Sequence, residues 1–211
     1  MKNQFLALFV SFFTIFVTSC KKENKQETKQ EISVDEAPKT EASFSLQNAE
    51  KTISWTAYKT TEKIPVKGVF KKVNITAKGS GNSAEEAINN AEFSIPVSSI
   101  FTSDSGRDYK IKKFFFGVMD KTELLSGKLV LENDSIGYSD ITMNGVTKKL
   151  PFKYSLKGNV FSLQGTMNIT EWQGEKALKS LNTVCKDLHK GADGVSKTWD
   201  EVAINIVSVF K

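Results

Sequence analysis

Histidine and cysteine are scarce in this sequence, which has one histidine, His189, and two cysteines, Cys20 and Cys185. A hydrolase with a Ser-His-Asp arrangement would have to use His189, close to the end of a predicted helix. No glycine-rich phosphate loop or paired-carboxylate motif is present. We therefore predict no catalytic residue and no cofactor. We also predict no disulfide, because Cys20 lies where a different chemistry is expected.

A dense block of one charge is also lacking. The net charge is +5, but lysines and acidic residues are interspersed along most of the chain. Nucleic-acid binding would call for a clustered basic surface, so we do not expect it. Mild attraction to anionic membrane surfaces is the inference that remains.

The longest apolar run, from Phe5 to Val17, is too short for a transmembrane helix of about 20 residues and has the length of a signal-peptide core. It leads into Val17-Thr18-Ser19-Cys20, which resembles the lipobox of bacterial lipoproteins. We predict a signal peptide over 1–19, then a lipidated Cys20 and a disordered polar tether over 20–43. The alternative is an ordinary secretory signal with an incidental cysteine. Either would export the protein, and the lipobox indicates a cell-envelope location as an outer-membrane or periplasmic lipoprotein.

From residue 44 onward the dominant period is two, which predicts one all-β domain over 44–211. Apolar and polar residues alternate around Trp55, Ile95 and Phe161. Asn144-Gly145 and Lys157-Gly158-Asn159 are typical of tight hairpins. The predicted strands are 53–58, 66–77, 93–98, 124–132, 136–143, 150–156, 161–169 and 200–210.

Two segments depart from this alternation. Residues 107–116 predict a helical turn with inward phenylalanines. Residues 174–190 place Ala177, Leu178, Leu181, Val184, Cys185 and Leu188 at helical spacing, which predicts a helix that lies against the sheet or closes one end of it. Gly191 is its predicted stop.

Six motifs follow one another in the predicted domain: Val66-Lys67-Gly68-Val69-Phe70, Ser99-Ile100-Phe101-Thr102, Gly106-Arg107-Asp108, Phe114-Phe115-Phe116, Ile141-Thr142-Met143-Asn144-Gly145-Val146-Thr147-Lys148 and the closing strand 202–210. Their order over residues 44–211 resembles the YceI-like family of lipocalin-like, polyisoprenoid-binding periplasmic proteins. The resemblance implies an antiparallel eight-stranded barrel with one or two short helices and a long internal cavity for a lipid-like chain. After Phe116 the sequence departs from the family's tyrosine-proline pair, and the helix at 174–190 is enlarged.

The candidate ligand-binding residues are Phe101, Arg107, Asp108, Phe114, Phe115 and Phe116. Arg107 and Asp108 would hold a headgroup at the mouth, or pair locally and cap the turn. The phenylalanines would line the lipid tunnel or belong to the core. Inward alternation alone is also what a filled sandwich core would show. Cys185 and His189 are four residues apart on the predicted helix, but no second pair is evident, so we predict no metal site.

Three functions are compatible with the sequence. The first is an envelope lipoprotein that sequesters or carries a polyisoprenoid, quinone-like or fatty acyl ligand, with the membrane as partner through its anchor and a homodimer as one assembly state. The second is a ligand-free protein-interaction module. The third is a hydrolase using a serine and His189. We favour the first because of the resemblance, since the pattern alone favours a filled core. An apolar tube suits such a ligand, because it gains about 0.8 kcal/mol for each methylene group that it removes from water.

Overall fold

The computed structural model describes residues 43–211. The predicted signal peptide, Cys20 and the tether up to residue 42 lie outside the described residues. The described part consists of strands with three short α-helices, and the elements are β1 (Phe44–Ser45), β2 (Glu50–Lys59), β3 (Ile64–Phe70), β4 (Asn74–Ala77), β5 (Ser80–Gly81), α1 (Ala84–Ile88), β6 (Glu92–Pro96), β7 (Ile100–Phe101), α2 (Ser105–Lys110), β8 (Leu124–Leu131), β9 (Ile136–Met143), β10 (Val146–Lys157), β11 (Val160–Asn168), α3 (Glu175–Val184) and β12 (Thr198–Val209).

Both predicted hairpins are confirmed. Asn144 and Gly145 form the two-residue turn between β9 and β10, and both have a positive φ, 53° and 70°. Gly158 and Asn159 form the two-residue turn between β10 and β11, and there only Gly158 has a positive φ, 59°. Such turns match the natural twist of antiparallel strands, so they fix the register in which each strand presents its apolar face.

The all-β, antiparallel fold class is confirmed, but the strand number is wrong. Ten strands form one curled sheet in the order β4-β6-β8-β9-β10-β11-β12-β2-β3-β7, a half-barrel, and β1 pairs with β5 in a separate ribbon. The count is therefore ten in the sheet and twelve in all, instead of eight. Three α-helices replace the expected one or two, because α1 was not predicted from the sequence.

Two extra strands of the sheet arise at two breaks in the chain. The predicted strand 66–77 breaks at 71–73 into β3 and β4, and a second break at 97–99 separates β6 from β7, which lies beyond the predicted strand 93–98. The pieces still pair with each other, β3 with β7 and β4 with β6. Between the breaks the backbone N–H of Lys71 donates to the carbonyl of Ser99 at 3.0 Å. We call this pair of breaks the seam.

The predicted helix at 107–116 is present but irregular. Its cap is Asp104, whose side chain accepts the backbone N–H of Arg107. After α2 the chain continues into a widened turn of the π type (Ile111–Phe115) and a 3₁₀ turn (Phe116–Val118). A wider turn reduces the angle between consecutive side chains, which lets Phe115 and Phe116 both point into the core.

The second predicted helix, 174–190, ends earlier than expected. α3 stops at Val184, which is exposed like Leu188, whereas Cys185 is buried. Tertiary contacts hold the following residues in a turn. The ammonium of Lys59 donates to the carbonyl of Leu188 at 2.9 Å, and the ring of His189 bonds Thr198. These contacts override the helical spacing of the sequence.

Two hydrophobic clusters fill the inside of the half-barrel. The larger one contains Trp55, Phe115, Phe116 and Trp172 and extends under α3. The smaller one contains Phe152, Phe161 and Phe210 and is closed by the small buried residues of the α1 region, Ala84, Ala87 and Ala91. None of the helices within residues 43–211 has the length and hydrophobicity that a bilayer-spanning helix needs.

Candidate functional site

An apolar cavity lies inside the half-barrel, lined mainly by the larger hydrophobic cluster together with Phe152 and Leu163 of the smaller one. Its volume is about 170 Å³. Only four of the lining residues, Trp55, Ser139, Thr198 and Trp199, carry a side-chain nitrogen or oxygen. The lining residues are Ile53, Trp55, Ala57, Phe70, Phe93, Ile95, Ile100, Ile111, Phe115, Phe116, Leu125, Leu129, Ser139, Ile141, Met143, Leu150, Phe152, Leu163, Met167, Ile169, Leu178, Leu181, Thr198, Trp199, Val202, Ile204 and Ile206.

The wall of the cavity is built from alternate residues of neighbouring strands. On β2, Ile53, Trp55 and Ala57 point inward, and each lies opposite an inward residue of β12. Because side chains alternate across a strand, the residues between them point outward. The predicted alternation around Trp55 is therefore the feature of the sequence that forms the wall.

Glycines opposite aromatic residues keep these rings against the wall. Gly68 pairs with Trp55 across β2 and β3, and a Cβ atom placed on Gly68 would lie 2.3 Å from Cζ2 of the indole. Gly127 has the same relation to Phe93, with 2.6 Å to Cζ of the ring. No side chain other than hydrogen fits under these rings, and a ring that lies along the wall leaves the centre of the cavity open.

Helical segments cover one end of the cavity. We call the π turn Ile111–Phe115 together with α3 the cap. From the cap, Ile111, Phe115, Leu178 and Leu181 contribute to the lining. Phe115 packs edge-on against Phe116, with ring centroids 4.9 Å apart. Leu178 and Leu181 are only partly buried, so this end is less tightly packed than the α1 end.

A small polar network lies beside the cap. Nδ1 of His189 is 2.7 Å from the hydroxyl oxygen of Thr198, and that hydroxyl donates to Oδ1 of Asn182 at 2.9 Å. Since the threonine proton is used by Asn182, the His189 Nδ1–H must be the donor in the first bond. Burial, reinforced by the positive charges of Lys59 and Lys110, lowers the pKa of His189 to about 4, so the ring is neutral at pH 7.

Cys185 is buried next to this network, and burial raises the pKa of its thiol. A raised pKa keeps the sulfur protonated and therefore poorly reactive. Within residues 43–211, no group of three or more His, Cys, Asp or Glu side chains is arranged to hold a metal ion. Among the described residues, Cys185 and His189 therefore have no third His, Cys, Asp or Glu side chain beside them to complete a metal site. In addition, Nδ1 of His189 is hydrogen-bonded to Thr198.

The structure brings only two of the six candidate ligand-binding residues to the cavity, Phe115 and Phe116. Phe114 lies outside the lining and packs edge-on against Tyr109, with centroids 6.2 Å apart. Phe101 is exposed, and the ammonium of Lys71 lies 3.3 Å from its ring centroid.

Arg107 and Asp108 also lie away from the cavity lining. The guanidinium of Arg107 is 3.6 Å from the Asp104 carboxylate, and both are partly exposed. The Asp108 carboxylate is buried and accepts hydrogen bonds from the backbone N–H and the hydroxyl of Thr102, at 2.9 and 2.6 Å. These contacts join α2 to the end of β7.

The four lining residues that carry polar side-chain atoms were not predicted as site residues. Thr198 and Trp199 open β12, two residues before the predicted strand 200–210 begins. The alternation around Trp55 predicts a strand and gives no role to the indole nitrogen. The signal available in the sequence is the alternation around Trp55 together with Gly68 of the Val66–Phe70 motif. These two residues face each other across β2 and β3.

A curled antiparallel sheet around an almost wholly apolar cavity defines the lipocalin-like class of β-proteins. The YceI-like domain model matches residues 44–210, and the chain belongs to this family. A polyisoprenoid-binding domain from Saccharophagus degradans is similar in structure, with a TM-score of 0.57 at 11% identity over 81% of this chain and 98% of that one. A variant YceI protein of Campylobacter jejuni has a TM-score of 0.50 at 18% identity, over 69% and 85% of the two chains. No curated protein matches the chain.

Proposed function

We propose that this protein is an envelope lipoprotein that binds a long apolar lipid, a polyisoprenoid, quinone-like or fatty acyl chain, for sequestration or transport. The observation that carries the proposal is the nearly continuous apolar lining of the cavity. A cavity of this kind favours a ligand that is itself apolar, because each buried methylene group contributes about 0.8 kcal/mol. The similar domain from Saccharophagus degradans is described as polyisoprenoid-binding, which supports the same ligand class.

A binding role, without catalysis, fits the chemistry of the cavity. The cavity presents no nucleophile beside an activating base, since Ser139 donates to the carbonyl of Lys128 and Thr198 donates to Asn182. His189 is neutral at pH 7, but the donor role of its Nδ1 fixes the ring against Thr198.

The volume of the cavity favours a second candidate, the ligand-free interaction module. A cavity of about 150 Å³ holds a benzene molecule, whereas pockets for drug-sized ligands measure about 300–1,000 Å³. At about 170 Å³, this cavity has room for a short apolar segment, and a long chain requires the cap to move outward. The two functions therefore differ in whether the cap opens.

Native mass spectrometry of the full chain, purified gently from its own host and followed by organic extraction, tests the proposal. We expect one lipid per protein. A bare protein that also refuses isoprenoids added in vitro would contradict lipid binding and favour the interaction module.

A matched pair of variants sharpens this experiment. Ala57→Phe places a ring in the cavity, and Thr56→Phe places the same ring on the opposite face of β2. We expect copurified lipid to be lost from the first variant and kept by the second.

The anchor is tested separately, at Cys20. We expect the N-terminal peptide of the mature protein to begin at Cys20 and to carry acyl chains, and Cys20→Ser to release the protein from the membrane fraction. A mature protein that begins at another residue and carries no acyl chain would contradict the lipoprotein prediction. It would support the alternative, an ordinary secretory signal with an incidental cysteine.

A further inference from the structure

The indole nitrogen of Trp55 is a buried donor without a partner among the described residues. Trp55 is 8% exposed and lines the cavity. Its Nε1 is fully buried and has no hydrogen-bond partner within residues 43–211. Buried donors in folded proteins are nearly always paired, so an unpaired one on a residue that lines a cavity calls for a partner that residues 43–211 do not supply.

The other two tryptophans show what pairing looks like in this fold. Nε1 of Trp172 donates to the carbonyl of Ile141 at 2.9 Å, and Nε1 of Trp199 donates to the carbonyl of Thr60 at 2.7 Å. Trp55 differs because it lies in the regular part of β2, which is paired with β3 on one side and with β12 on the other. Within residues 43–211 no acceptor lies within hydrogen-bond distance of its Nε1.

The position of the indole is fixed by the wall. Cε2, the ring atom bonded to Nε1, and its neighbour Cζ2 lie over Gly68, where no side chain could fit between them and the strand. The donor is thus held at one level of the cavity, among Ile53, Ala57 and Ile204, which have no polar side-chain atoms.

We propose that Trp55 donates its indole N–H to an oxygen atom of the bound lipid, so that the ligand is an apolar chain carrying a carbonyl or ether oxygen and not a plain hydrocarbon. This inference rests on the proposed function and narrows its ligand class. An acceptor oxygen is required because Nε1–H of tryptophan only donates. A hydrocarbon at the same place would leave the donor unpaired in both the free and the bound protein.

The test uses the full chain, labelled with ¹⁵N-tryptophan and freed of copurified lipid. Its three tryptophans give three indole N–H signals, and Trp55→Phe assigns the one of interest. The probes are geranylacetone, a branched apolar ketone, and the hydrocarbon with the same carbon skeleton but no oxygen. Binding is followed by the displacement of N-phenyl-1-naphthylamine.

We expect the Trp55 signal to shift downfield with the ketone and not with the hydrocarbon. The wild-type protein should prefer the ketone about tenfold, and Trp55→Phe should abolish that preference. Trp199→Phe is the control, and it should keep the preference whatever it does to overall affinity, because its N–H is already paired.

The opposite outcomes separate the inference from the proposed function. Equal binding of both probes, or a Trp55 signal that is already hydrogen-bonded in the lipid-free protein and does not respond to the ketone, would overturn the inference and leave apolar binding intact. If neither probe binds, and no lipid copurifies, the proposed function fails and this inference fails with it.

Discussion

Asn144 joins three separate segments through its side chain. Its Oδ1 accepts the backbone N–H of Asp120 at 2.8 Å, and its Nδ2 donates to the carbonyls of Trp172 and Gln173 at 2.9 and 3.0 Å. The residue also has a positive φ of 53°, which asparagine tolerates better than most residues. The turn residue that the sequence indicated is thus also a structural link.

Two substitutions at Asn144 separate these roles. Asn144→Gly keeps the backbone relaxed but loses the side-chain bonds, so we expect unfolding to become easier by about 2–3 kcal/mol. Asn144→Ala adds the strain of a left-handed backbone and should cost about 1 kcal/mol more. Urea denaturation measures both, and equal losses would show that the backbone strain is unimportant here.

His189 gives the protein a pH-dependent stability. The unfolded chain takes up a proton on this ring near pH 6.5, whereas the pKa of about 4 keeps the folded ring neutral until lower pH. The unfolded state therefore binds more protons in this window, and stability falls as the pH drops from about 6.5 to 4. Because the ring is only half-buried, solvent screening limits the loss to about 1–2 kcal/mol.

An NMR titration checks this directly, since the chain has one histidine and its ring signals need no assignment. We expect a midpoint near 4, and a higher one in Lys59→Met, which removes a nearby positive charge. A midpoint near 6.5 in the wild-type protein would contradict the burial of the ring.

At the scale of elements, the pairing of Gly68 on β3 with Trp55 on β2 controls the shape of the wall. In Gly68→Val the new side chain would collide with the indole and push it into the cavity. We expect a loss of about 1–3 kcal/mol and weaker binding of apolar ligands. Gly106→Ala in α2 is the control, because its nearest neighbour would be an ordinary 3.4 Å away and helices favour alanine. Unchanged ligand binding in Gly68→Val would show that the indole need not lie against the strand.

Leu181 shows whether α3, a part of the cap, covers the cavity. Leu181 on α3 lines the cavity and is partly buried, so Leu181→Ala should enlarge the cavity and cost about 1–3 kcal/mol in stability. Val184→Ala, at the exposed C-terminal end of the same helix, should change stability by less than about 0.5 kcal/mol. Thermal unfolding gives both values, and longer chains should bind better to Leu181→Ala only. Similar effects of the two substitutions would argue that α3 does not cover the cavity.

Elements also show how far the sequence could predict this molecule. Alternation and turn residues predicted β9, β10 and β11 well, because local preference and tertiary packing agree there. The predicted end of α3 was wrong, because Lys59 on β2 and Thr198 on β12 hold residues 185–190 in a turn. The candidate site was predicted only at Phe115 and Phe116. The unpaired indole nitrogen of Trp55 could not be predicted, because it depends on which acceptors the neighbouring strands place near it. A single sequence does not contain that information.

For the whole molecule, the two ends of the cavity differ in packing. The α1 end is filled by small buried residues, among them Ala87 and Ala91, both 0% exposed. The cap end consists of partly buried leucines and an irregular helix. Ligand entry should therefore open the cap and leave the α1 end closed, since loosely packed elements open at lower cost.

Hydrogen exchange with and without farnesylacetone tests this asymmetry. We expect added protection over 105–118 and 175–184, and little change over 84–91. Protection limited to 84–91 would place the entrance at the opposite end.

The seam at 71–73 and 97–99 gives the wall one compliant line. The ladders from β9 to β11 are continuous, whereas at the seam the two broken strands share the backbone bond from Lys71 to Ser99. We expect faster amide exchange there than in β10 and β11. Isoprenoid chains are branched and acyl chains are straight, so they differ in girth. A wall that widens along the seam would accept either chain without a change of strand register. The range of ligand thickness would then depend on the seam and not on the volume of the empty cavity.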